Sequence, residues 1–86
     1  MKPPRLSPEN ALLATVQRLY GATKDKIICW TLHRLWWINE GAVGTPPVWF
    51  FAKMHRQVRD AFDRLHTAGA ILRLKRGQWC GGLHGR

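Results

Sequence analysis

Four residues have the types and spacing to hold a metal. Cys29 and His33 stand four apart, and Cys80 and His84 repeat that spacing near the C-terminus. Residues i and i+4 share a helix face, and two thiolates with two imidazoles make a tetrahedral zinc set. This is not the usual spacing of paired zinc cysteines, and His84 lies in a glycine-rich stretch. Free, buried cysteine is the commoner state of such residues, so no metal is expected. A Cys–His nucleophile would need a third residue to orient the histidine, and none can be named. The five acidic residues are scattered and form no paired carboxylates. Neither a P-loop nor a GxGxxG phosphate loop occurs. The sequence predicts no enzyme and no cofactor.

A second set of residues could bind rather than catalyse. Fourteen Lys and Arg stand against five Asp and Glu, a formal charge of +9. Such an excess suits a polyanion, nucleic acid before an anionic membrane, although a merely soluble basic domain would carry it too. Arg56, Gln57, Arg59, Asp60 and Arg64 lie on the polar side of an amphipathic segment. Arginine reads guanine through two hydrogen bonds, and glutamine reads adenine. Asp60 and Asp63 either accept from cytosine or orient Arg56, Arg59 and Arg64 at helical spacing. The plain alternative is a solvated helix face laced with ion pairs. Further on, Arg73, Lys75 and Arg76 surround Gly77 as a basic hairpin suited to phosphate or the minor groove. The same charges would also keep an edge strand soluble. Lys2 and Arg5 offer a minor-groove arm or a disordered tail.

The elements that must position these residues can be read along the chain. Eighty-six residues allow one domain. A chain this short buries only about 60% of its unfolded surface, a shortfall that five Trp, three Phe and one Tyr partly offset. Residues 1–6 read as a flexible basic arm, 7–80 as the domain and 81–86 as a tail. Ser7-Pro8 opens a helix that carries Leu12, Leu13, Val16, Leu19 and Tyr20 and stops at Gly21. Thr23 opens a second, Trp-rich helix that ends at Asn39-Glu40-Gly41. Thr45-Pro46-Pro47 opens a short helix from Val48 to about Met54, and Met54-His55 reads as a turn. A helix from Arg56 to Ala68 follows, with Val58, Ala61, Phe62 and Leu65 at i, i+3, i+4 and i+7. Beyond Gly69 the period falls to two: Leu72 and Leu74 alternate with Arg73 and Lys75 as a half-buried strand, and Gln78-Trp79-Cys80 returns after Arg76-Gly77. No apolar run approaches the roughly 20 residues of a membrane span, and no signal peptide is evident. A reducing compartment is the default without an export signal, so the two cysteines are expected as free thiols and the protein as cytoplasmic and nucleoid-associated.

This order resembles the winged helix-turn-helix superfamily of small bacterial and phage transcription regulators. The residues that carry the resemblance are Thr45-Pro46-Pro47, Val58 to Leu65, and Ala68-Gly69-Ala70-Ile71 passing into the basic hairpin. It implies a mainly α fold with a small β-hairpin, here with an extra N-terminal helix. It also implies that the helix holding Arg56, Gln57, Arg59, Asp60 and Arg64 enters the major groove, flanked by a wing of Arg73, Lys75 and Arg76. The expected function is sequence-specific binding of double-stranded DNA by a transcriptional regulator acting through operator occupancy. The alternative is a winged-helix module that binds and inhibits a protein partner, since fold does not fix function. A non-specific nucleoid or replication-accessory binder is a third reading. Trp36, Trp37, Trp49, Phe50 and Phe51 read as core rather than as stacking platforms. Adjacent aromatics cannot all face inward, however, so Trp36 and Trp37 are expected at a homodimer interface.

Overall fold

Three helices and a hairpin follow one another: α1 (Pro8–Arg18), α2 (Lys24–Asn39), α3 (Val48–Thr67), β1 (Ile71–Arg73) and β2 (Trp79–Gly81). This is the arrangement in a computed structural model, which describes residues 5–82. The protein is therefore mainly helical with a two-stranded antiparallel sheet.

Local chemistry explains the boundaries of α1 and α2. Ser7 caps α1 by accepting from the Asn10 amide, with Pro8 in the first turn. Thr23 caps α2 by accepting from the Lys26 amide. The first helix stops at Arg18, so Tyr20, expected on its apolar stripe, is instead exposed in the following turn. There Gly21 takes a φ of 80°. Its amide donates to the Trp79 carbonyl, and the Trp79 amide donates to Ala22. Ala22 and Trp79 thus form a bridge that adds one further residue pair beside the hairpin.

The expected turn at Met54-His55 is not formed. Residues 48–67 are one 20-residue helix. The reason lies in the side chains: Phe50, Met54, Val58 and Phe62 recur every four residues, so one stripe faces the core without interruption. Neither Gly nor Pro interrupts it. Thr45 is not the cap either. It sits exposed in the 40–47 connection, Pro46 is buried, and Pro47 holds the cap position without a side-chain hydrogen bond.

At its other end α3 is closed by a Schellman motif. The Gly69 amide donates to His66 and the Ala70 amide to Leu65, with Gly69 at a φ of 83°. That turn places Ala70 and Ile71 in the core at once. The strand's inward phase is therefore set by Ile71, and Leu72 and Leu74 are exposed rather than half-buried. β1 also ends at Arg73, so Lys75 lies in the turn and not on a shared strand face. Register pairs Ile71 with Gly81, Leu72 with Cys80 and Arg73 with Trp79. Gly81, assigned to the tail by sequence, is part of β2, and the Gly82 amide donates to Ala70. A Cβ at Gly82 would collide with the Gly69 carbonyl oxygen, so only glycine fits this edge.

The core joins all three helices to the sheet through Leu12 and Val16 of α1, Ile27, Leu32 and Leu35 of α2, Val58 and Phe62 of α3, and Ile71. The expected arm is partly docked. Leu6 exchanges two hydrogen bonds with the Asn39 side chain, at 2.7 and 2.9 Å, and Arg5 pairs with Glu40 at 3.1 Å. Lys2 lies outside the described residues.

Candidate nucleic-acid interface

α3 presents its apolar stripe to α1 and α2, which leaves the opposite side in solvent. Arg56, Gln57, Arg59 and Asp60 all lie on that exposed side. Because the helix is continuous, Lys53 joins them three and four residues before Arg56 and Gln57. Sequence reasoning missed Lys53 by placing a turn between them. The signal was present as the unbroken four-residue apolar period. From Lys53 to Arg64 the helix advances about 16 Å.

The cations fall into two groups. The Arg64 guanidinium reaches across to Glu9 on α1, donating from Nε at 3.1 Å and again from Nη2. That contact, with the Glu9 backbone amide, holds the Glu9 carboxyl below its ordinary pKa. Asp63 accepts from Lys24 at 3.2 Å, and the Lys24 ammonium also lies 4.9 Å from the Phe62 ring centroid. Arg64 and Asp63 therefore tie α3 to α1 and α2 instead of pairing within their own helix. Lys53, Arg56 and Arg59 make no ion pair among the described residues.

The hairpin adds three more such cations. Arg73, Lys75 and Arg76 are exposed and have no acidic partner among the described residues. The Gln78 amide donates to Lys75, and Gly77 takes a φ of 72°. A positive φ at this third turn position is what a type II turn requires. Trp79 anchors the hairpin to α3, its ring meeting Phe62 and His66 edge-on with centroids 4.8 Å away in each case.

The two tryptophans expected at an oligomer interface separate. Trp36 is half-buried against the start of α3, edge-on to Phe50 at 5.0 Å and Trp49 at 5.9 Å. Those two rings of α3 cover part of it within one chain. Trp37 remains exposed and donates from Nε1 to the Gly44 carbonyl.

The cysteine–histidine pattern comes together only in part. Cys29 Sγ lies 3.9 Å from His33 Nδ1, but that nitrogen is 2.8 Å from the Cys29 carbonyl oxygen. A carbonyl can only accept, so Nδ1 carries the proton and is closed to a metal. Cys80 is buried in β2, and His84 lies outside the described residues. No group of three or more metal-ligating side chains occurs among the described residues. No described helix is long and apolar enough to cross a membrane. Compared with protein-family models, curated proteins and solved structures, the chain matches none.

Proposed function

We propose that this is a double-stranded-DNA-binding protein of winged-helix type, acting as a transcriptional regulator by occupying its site. One observation carries the reading. Six cations without acidic partners among the described residues, Lys53, Arg56, Arg59, Arg73, Lys75 and Arg76, occupy the outer side of α3 and the hairpin that follows it. Phosphate contacts need such cations, and base reading needs arginine or glutamine on an exposed helix. The element order also supports the reading: helix, bridge, helix, helix, hairpin. In it, α2 and α3 form the helix pair, α1 belongs to the domain, and the hairpin is the wing. The eight residues of the 40–47 connection are longer than the three or four of a tight helix-turn-helix.

The test is the affinity for random-sequence and selected duplexes at low and physiological salt. The proposal expects binding that weakens steeply with salt, together with a preferred sequence. An absence of binding at low salt removes it.

A protein-binding role for the same face draws support from its exposed apolar groups: Val48 and Trp49 at the start of α3, and Leu72 and Leu74 on the hairpin. That reading expects an acidic protein partner and no salt-sensitive duplex binding.

A further inference from the structure

Away from the basic face, α1 and α2 enclose an open groove of about 240 Å³ lined by Thr15, Arg18, Leu19, Trp30, Arg34 and Trp37. We propose that this groove binds a small planar aromatic acid.

Its walls supply the aromatic half of that chemistry. Trp30 and Trp37 stand seven residues, about two helical turns, apart, with ring centroids 6.2 Å apart and planes tilted by 58°. Both are about two-fifths exposed. Neither ring swings freely. Trp37 is held by its hydrogen bond to Gly44 at 2.8 Å, and His33 packs on both indoles at 5.2 and 5.6 Å. Fixed indoles offer a ligand ring stacked or edge-on contact at little entropic cost.

The anionic half comes from the arginines. Arg18 and Arg34 line the groove, no acidic residue does, and neither arginine makes an ion pair among the described residues. An unpaired guanidinium receives a carboxylate or phosphate through two parallel hydrogen bonds. The space lies below the roughly 300–1,000 Å³ of drug-sized sites, so the ligand is one or two rings with its acid group.

The experiment titrates the 15N-labelled full-length protein with 2-naphthoate, 2-naphthyl phosphate and neutral 2-naphthamide. Five indole N–H resonances report where each binds, one from each tryptophan. The proposal expects saturable shifts at Trp30 and Trp37, with smaller changes at Trp36, Trp49 and Trp79. It also expects at least tenfold tighter binding of one acid than of the amide. Which acid binds more tightly distinguishes carboxylate from phosphate ligands. Arg34→Gln should abolish the preference for acid over amide; should that variant fail to fold, the comparison in the parent protein decides. Equal binding of acid and amide, shifts spread over all five indoles, or no saturation at millimolar ligand would overturn the proposal. So would shifts at Trp30 and Trp37 that only an oligothymidylate produces, which would make the groove a base-stacking surface.

Discussion

The two ends of α3 carry arginines of the same kind and use them differently. At the C-terminal end, Arg64 is engaged by Glu9, Asp63 is held by Lys24, and the last turn is closed by Gly69 and Ala70. From the N-terminal end to just past its middle the helix has no side-chain cap, Trp49 is 59% exposed, and Lys53, Arg56 and Arg59 have no acidic partner among the described residues. The lesson is that charge type does not tell an arginine that ties helices together from one left in solvent; the partner does. Glu9 stands 55 residues from Arg64 in sequence, and only the folded chain brings them together.

The comparison can be broken first through stability. Phe62 is buried in the C-terminal half, where it meets Trp79 edge-on and Lys24 through its ring face. Phe62→Ala should destabilise the fold by about 3–5 kcal/mol in urea unfolding. Arg56→Ala and Arg59→Ala should leave unfolding within about 0.5 kcal/mol of the parent. A large loss of stability in either arginine variant would mean that the unpaired stretch of α3 is also structural.

DNA recognition gives the next effect. If Arg56 and Arg59 each grip a base, their alanine variants should lose about 1–3 kcal/mol at one base position and relax preference there. Competition binding against single-base variants of a selected site reads this directly. Unchanged preference in both variants would move base reading off this stretch of α3.

Backbone conformation at the closed end comes third. Gly69→Ala forces a side chain into a positive φ and should cost about 1–2 kcal/mol, measured by thermal unfolding. A neutral result would mean that the Schellman turn relaxes without cost.

The smallest effect belongs to the ion pair itself. Glu9–Arg64 is part-exposed, so Arg64→Ala should cost no more than about 1 kcal/mol at neutral pH. The Glu9 carboxyl is held below its ordinary pKa in the folded state. Its contribution is therefore complete above the unfolded pKa and disappears as pH falls through the lowered folded value. The stability difference between parent and Arg64→Ala should be present at pH 7 and shrink in strong acid. A difference that grows on acidification would contradict the pairing.

Much of this was legible locally. Ser7, Thr23 and Gly69 act where capping chemistry places them, because each depends on neighbours within a few residues. The continuous α3 was also legible, since Phe50, Met54, Val58 and Phe62 ask for one stripe. Reading Val48 to Met54 and Arg56 to Ala68 as separate segments puts a turn at Met54-His55 instead. Alternation in the hairpin was visible but its phase was not: the turn after Gly69 puts Ile71 inward, and Leu72 and Leu74 follow outward. On α2, the spacing of Trp30, Arg34 and Trp37 marks a shared face. Nothing in that spacing shows that Arg18, the last residue of α1, and Leu19 after it make it a groove, because that depends on how the helices pack.

The most direct test is the salt dependence of duplex binding in three proteins: the parent, Arg73→Ala/Arg76→Ala and Arg64→Ala. Each lost phosphate contact should lower the slope of log K against log salt by about 0.9. The account predicts a steep slope for the parent, a slope smaller by nearly two units in the hairpin variant, and the parent slope in Arg64→Ala. A slope that falls as far in Arg64→Ala as in the hairpin variant, or a parent that does not bind duplex at low salt, would contradict it.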